Sequence, residues 1–303
     1  MKVKVKEEDI LSKPTTETEL DKFFFKNNSW SFTRHRIWNR CKRQYYYEYI
    51  TPYVKPPAPV DVDKIRFLKV YNSRFVLQGQ LIHEILNEQL ERHCQMLPMD
   101  PAGAVSTYSR RIAKNKMMAD EMFTEYRHGE RVDGHFFTAI EESGKACLKI
   151  FFEMIWPDYQ NRECLRHEEY DKFTIEDIDV TVKVDFVSKM QNGTIVLTDW
   201  KTGADNDEYE TELQMAAYVL WAIQYYQKSP DEIKSELVFL KSGEKKPYPF
   251  FKEQLSEVKE TIKTDFKEMN ASYGFFDFPP KPALRECLSC RFAMVCPDKA
   301  IRK

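Results

Sequence analysis

The stretch VKVDFVSKMQNGTIVLTDWKTG, residues 182–203, decides the fold of this chain. Its first run, with the residues just before it, alternates. Val180, Val182, Val184 and Phe186 take one face, and Thr181, Lys183 and Asp185 take the other. Alternation of this kind marks a half-buried strand. Asn192-Gly193 follows, a pair that tolerates positive φ and so predicts a tight hairpin turn. The second run, Thr194 to Lys201, is apolar and ends in charge. Asp199 and Lys201 are two apart, so on a strand they share a face. The hairpin predicts that Asp185 and Asp199 meet across adjacent strands with the Lys201 ammonium beside them. Two carboxylates are hard oxygen ligands suited to Mg²⁺ or Mn²⁺. A lysine at the same spot can orient water and offset charge on a phosphate.

Taken alone, such a pair of acids is equally a surface hairpin with a salt bridge. Three further features bear on it. Gly79-Gln80-Leu81-Ile82-His83 lies in a helical run from about Ser73 to His93, with Leu77, Leu81, Ile85 and Leu86 toward a core. Gln214 and Tyr218 lie four apart on a helix spanning about 209 to 226, a spacing that puts both on one face. Cys287, Cys290 and Cys296-Pro297 cluster near the C-terminus, with Cys41 far upstream. Three close thiolates and a distant fourth can complete a four-thiolate site holding zinc or an iron–sulfur cluster. Seven cysteines, an odd number without a secretory signal, argue against a disulfide framework. Cys94, Cys147 and Cys164 read as small core hydrophobes without chemistry.

In this order, Cys41, Gly79…His83, Asp185, Asp199-Trp200-Lys201, Gln214…Tyr218 and Cys287/Cys290/Cys296 resemble the iron–sulfur branch of the PD-(D/E)XK nucleases. That branch includes RecB-type nuclease domains and the CRISPR-associated RecB-like exonuclease. The resemblance runs from about Ser29 to Pro297. It implies a restriction-endonuclease-like α/β core: a small mixed sheet flanked by helices, with an iron–sulfur clip joining the N- and C-terminal parts. It also implies a metal-dependent DNA nuclease, an exonuclease on single-stranded DNA or DNA ends. By resemblance His83, Asp185, Asp199 and the Trp200 carbonyl hold Mg²⁺ or Mn²⁺. Lys201 positions the attacking water, and Gln214 and Tyr218 orient Lys201 or the DNA backbone. The four cysteines hold a [4Fe–4S] cluster. The pathways it implies are DNA repair and recombination, CRISPR adaptation or phage-related processing, with a helicase or CRISPR adaptation subunit as partner. The alternative is a catalytically inactive nucleic-acid-binding or adaptor module on the same fold.

Residues 1–28 read as a charged arm before a nuclease domain over 29–303. Residues 95–157 read as a helical insertion, and 275–303 with Cys41 as the cluster region. Glu168 or Glu169, on the strand before Asp185, is a candidate extra acid, with Glu168 preferred. Net charge is −2, which excludes a wholly basic surface, so any DNA contact relies on local charge. The best local patch is Arg36, Arg40, Lys42 and Arg43, interleaved with Trp38 and Tyr45-Tyr46-Tyr47. Cations and aromatics so mixed suit phosphates and bases, or equally an amphipathic helix with buried rings. No apolar stretch approaches the roughly 20 residues of a membrane span, and MKVKVKEEDI lacks a signal-peptide core. A cytoplasmic enzyme is the expectation. No GxxxxGK[ST] loop is present, so a helicase would be a separate subunit.

Overall fold

The computed structural model describes residues 29–54, 58–117, 122–127, 129–203, 208–272 and 274–300. The expected arm, 1–28, lies outside them. The chain divides into two compact units. Unit one combines Met1–Asn72, Ile175–Asp179 and Thr261–Lys303; unit two is Ser73–Thr174 with Val180–Glu260.

The elements, in chain order, begin with β1 (Ser29–Ser31), α1 (Phe32–Arg40), α2 (Lys42–Tyr45), α3 (Val62–Leu68), α4 (Arg74–Cys94), α5 (Pro101–Asn115), α6 (Thr124–Arg127) and α7 (Gly134–Ile150). They continue with β2 (Glu163–Ile175), β3 (Ile178–Lys189), β4 (Ile195–Lys201), α8 (Glu208–Tyr226), β5 (Ile233–Phe239), β6 (Lys245–Pro247), α9 (Lys252–Asn270) and α10 (Leu284–Ser289).

Unit two is built on the sheet. β3, β4, β5 and β6 lie side by side in that order, and β2 pairs with β3. β3–β4 and β5–β6 are antiparallel, while β4–β5 is parallel. The β3–β4 register runs from Lys189 opposite Ile195 to Phe186 opposite Thr198. The next pair in that register is Asp185 and Asp199. The hairpin turn differs from a two-residue Asn-Gly turn. Gly193 N–H donates to Met190 O (2.9 Å), and within the turn only Gly193, at φ 85°, takes positive φ. This is a three-residue loop with the glycine in the left-handed position.

Helices cover the sheet because their apolar spacing demands it. Ser73 caps α4 by accepting from Val76 N–H, and Leu77, Leu81, Ile82, Ile85, Leu86 and Leu90 bury one face. They share a core with Phe186 and Trp200 of the sheet. Each such side chain taken from water contributes roughly 1.5–3 kcal/mol. The segment read as an insertion supplies α5 and α7 to the same core. Tyr108 of α5 is fully buried and donates to Ile140 O (2.9 Å). Gly144 of α7 faces that phenol with no room for a methyl group. The first helix of that segment, α5, stops at Asn115.

Unit one packs residues 37–71 against residues 269–296 around aromatic rings. Trp38, Tyr45, Tyr46, Tyr47, Phe275, Phe278 and Phe292 form its core. The rings between the basic residues are therefore buried rather than presented to bases. α1 and α2 are separated at Cys41, whose backbone is extended (φ −164°).

One cysteine reading is corrected. Cys94 and Cys164 form a disulfide, 70 residues apart in sequence. The end of α4 and the start of β2 bring their Cα atoms to 5.3 Å, within the range a bridge requires. Cys147 is buried and free.

Candidate active site

β3, β4, β2, α4 and α8 each deliver a side chain to one place in unit two. Asp185, in the interior of β3, and Asp199, near the end of β4, are buried, 6% and 3% exposed. Asp185 Oδ2 accepts from the backbone N–H of Trp200 (2.7 Å), which fixes the carboxylate against β4. Trp200 is buried and packs its indole among Phe151, Tyr159 and Phe186. The residue between Asp199 and Lys201 is thus an anchor that points the other two the opposite way.

Lys201 Nζ lies 2.6 Å from Asp199 Oδ2 and donates to Gln214 Oε1 (3.0 Å). Apart from this ion pair, Asp199 Oδ2 is buried with no partner among the described residues. Gln214 Nε2 donates to Asp199 Oδ1 (3.1 Å) and to the Tyr218 hydroxyl (2.8 Å). That hydroxyl donates to Lys183 O (2.8 Å). Burial, with Asp199 and Asp185 nearby, pushes the Tyr218 phenol well above its ordinary range, so it stays a donor. α8 is apolar almost all round, from Leu213 to Ala222. Polar groups on a buried helix need partners, and Gln214 and Tyr218 find theirs here.

On the other side, His83 Nδ1 is 3.0 Å from Glu168 Oε1 and 3.4 Å from Asp185 Oδ1. Lys183 Nζ pairs with Glu168 Oε2. Glu168 has φ 49°, a left-handed backbone inside a strand. Such a residue costs of order 1–3 kcal/mol and is characteristic of functional sites. Its effect is visible in its neighbour. His167 meets Asn87 (2.6 Å) and Glu91 (3.0 Å), while Glu168 meets His83; all three partners are on α4. Consecutive strand residues ordinarily face opposite ways, and the kink at Glu168 turns both toward the helix. Gly79 allows the close approach of α4, since a methyl group there would sit 3.2 Å from Thr202 Oγ1.

The electrostatics are those of crowded acids. Burial raises the Asp185 carboxyl to about 6; His83 opposes the rise, and Asp199 and Glu168 add to it. Burial alone would lower the His83 imidazole, but Asp185 and Glu168 outweigh it and hold the ring well above its usual value. Burial also works against charge on Glu168, yet His83 and Lys183 hold its carboxyl low. One ligand atom from each of His83, Glu168 and Asp185 lies within 4.8 Å of the others, close enough to share one ion. These donors, with the Asp199 carboxylate beside them, suit a hard divalent cation. The cluster thus adds Glu168 to the His83 and Asp185 named from the sequence, and Asp199 lies beside it, meeting Lys201 and Gln214. From the sequence Glu168 and Glu169 are alternatives with Glu168 preferred, and the kink that selects Glu168 leaves no mark there. Lys183 went unassigned, although its place two residues before Asp185 signalled a shared face.

The basic residues of unit one fare differently. Arg36 is exposed. Arg40 pairs with Gln44 and Glu286, and Lys42 with Glu268. Arg43 is buried, donating from Nε to Phe278 O (2.8 Å), and burial removes it from any phosphate-facing surface. Cys41, Cys287, Cys290 and Cys296 line one cavity in this unit.

Comparison with known proteins places these features. No curated protein matches the chain. A solved structure titled "Crystal structure of SSO0001" aligns over 64% of this chain and 98% of its own at 13% identity, with a TM-score of 0.32. That score carries no argument. A model of the PD-(D/E)XK nuclease superfamily matches residues 29–297. The match spans both acids, the lysine two residues past the second and the histidine on α4, and the chain belongs to that superfamily.

Proposed function

We propose that the protein is a divalent-metal-dependent deoxyribonuclease acting on single-stranded DNA or DNA ends. The observation that carries this reading is the pairing of Asp199 and Lys201 on one strand face beside Asp185, with His83 and Glu168 closing the cluster. His83, Glu168, Asp185 and Asp199 would hold Mg²⁺ or Mn²⁺, with the Trp200 carbonyl as a further ligand. Such an ion lowers the pKa of bound water and neutralises phosphate oxygens. Lys201 does the rest from the protein side. Its ammonium, held by Asp199 and Gln214, stands where charge develops on a phosphate and where a water can be oriented. Lys183 balances Glu168 and leaves His83 free to turn to the ion. Arg36 is the candidate contact to the DNA backbone.

We also read the four-cysteine cavity as the seat of a [4Fe–4S] cluster. Two backbone donors already point at sulfur: Lys281 N–H to Cys41 Sγ (3.5 Å) and Ala300 N–H to Cys287 Sγ (3.4 Å). Burial raises the Cys290 thiol to about 11 and the Cys296 thiol in the same direction. In the metal-free protein these thiols keep their protons, and a soft cation would displace them. Iron–sulfur is chosen over zinc on the resemblance of the cysteine spacing.

The test is single-turnover cleavage of end-labelled single-stranded and duplex DNA with Mn²⁺, using Asp199→Ala and Lys201→Ala. Each variant should lose at least ~10²-fold in rate, the scale of one removed transition-state donor, with an unchanged circular dichroism spectrum. Near wild-type cleavage by either variant would overturn the assignment.

A further inference from the structure

We infer that Arg43 and Tyr47 are built-in partners of the four-cysteine centre, donating hydrogen bonds from Nη1 and the phenol OH to its sulfurs and raising its reduction potential. The inference rests on the iron–sulfur reading above.

Both groups are anomalous in the protein alone. Arg43 is 4% exposed and Tyr47 is 1% exposed. The Arg43 guanidinium lies 3.4 Å from the Phe275 ring centroid, and its Nε is satisfied by Phe278 O. Its Nη1 is buried with no partner among the described residues, and so is the Tyr47 hydroxyl. Among the described residues no carboxylate pairs with Arg43. A buried cation without a counter-charge is costly, and so is a buried donor without an acceptor. Both side chains line the cavity that holds Cys41, Cys287, Cys290 and Cys296. Burial, then Cys296, pushes the Tyr47 phenol up, so it remains a protonated donor.

A [4Fe–4S] centre on four thiolates resolves the anomalies together. It carries net negative charge, and its sulfurs accept hydrogen bonds. One-electron reduction, with the electron supplied by dithionite, adds a further negative charge. Donors and a cation at the sulfurs stabilise that reduced form more than the oxidised one, and so raise the potential.

The experiment uses the full chain purified without oxygen, with iron, zinc and the visible spectrum measured before a dithionite titration. Tyr47→Phe removes one oxygen atom and leaves the packing ring. It should keep its colour and shift the reduction equilibrium against the reduced form on the order of tenfold, which is about 59 mV for a one-electron couple. Arg43→Gln should shift it the same way, and Arg43→Lys, which keeps the charge, should recover part of the loss. Unchanged potentials in variants that retain full iron would overturn the inference and leave the cluster standing; the two groups would then merely bind water. A colourless wild-type protein holding zinc would overturn the cluster reading and this inference with it. Should Arg43→Gln fail to fold, Tyr47→Phe decides alone.

Discussion

Glu168 shows how a single backbone angle can recruit a residue to a site. Its positive φ brings a carboxylate beside His83 and Asp185. Glu168→Gln keeps the shape and removes one of the three carboxylate charges, so it should raise the Mn²⁺ concentration needed for half-maximal cleavage about tenfold or more, the lower end for lost ligand support. Glu169→Gln, at an exposed neighbour, should leave the titration where it was. An equal effect from both would remove Glu168 from the site. The protons are equally testable. With Asp185 raised to about 6 and His83 raised above its usual value, the metal-free site holds protons that a cation must displace. A raised folded pKa means the bound proton persists to higher pH, so Mn²⁺ affinity should climb through pH 6 and keep climbing beyond the ordinary imidazole range. Calorimetry at pH 7 in buffers of different ionisation enthalpy should show roughly one proton released per ion. Binding without proton release would return His83 to a role outside coordination.

At the scale of elements, two contacts govern how the helices of unit two carry the site. α7 can lie against Tyr108 only because residue 144 lacks a side chain. Gly144→Ala improves helix propensity by roughly 1 kcal/mol but drives a methyl group into a fully buried phenol. Overpacking of this kind costs typically 1–3 kcal/mol or more, so the net change should be a lower urea midpoint with an unchanged slope. A stabilised variant would mean that Tyr108 can leave its place under Ile140 O at little cost. The α4–β2 seam carries the other contact, the Cys94–Cys164 bridge. A loop of this length restricts the unfolded chain by about 4 kcal/mol on the entropic account. Reduction with dithiothreitol, or Cys94→Ser with Cys164→Ser, should lower the unfolding midpoint measurably. Equal midpoints for oxidised and reduced protein would show that the seam is held by His167, Asn87 and Glu91 instead.

For the molecule as a whole, described segments from the first and last parts of the chain make up most of unit one, and the middle makes up unit two. The acids of the candidate site therefore belong to unit two, and Cys41, Cys287, Cys290 and Cys296 to unit one. Cys41→Ser should bleach the visible absorbance, while Cys147→Ser, at a buried free thiol of unit two, should leave it intact. Bleaching by Cys147→Ser would contradict the four-cysteine reading. No helix among the described residues is long and apolar enough to cross a membrane.

Patterns local in the chain were enough to determine much of this. Alternation over 180–186 defined β3, the four-residue spacing of Leu77, Leu81 and Ile85 defined α4, and Asp199 and Lys201 shared a face because strand geometry has period two. The same logic put Gln214 beside Tyr218. What depended on distant neighbours was invisible there. The basic and aromatic run from Arg36 to Tyr47 could equally be a DNA surface or a core. Only the arrival of Phe275, Phe278 and Phe292 from the other end of the chain buried Arg43 and the tyrosines. Likewise the choice of Glu168 over Glu169, and of Cys94 as the partner of Cys164, waited on α4 lying against β2. Periodicity reports which face a residue takes, because that is fixed by its own backbone. Which group meets that face is fixed by the packing of segments remote in sequence, and that is where the tertiary structure decides.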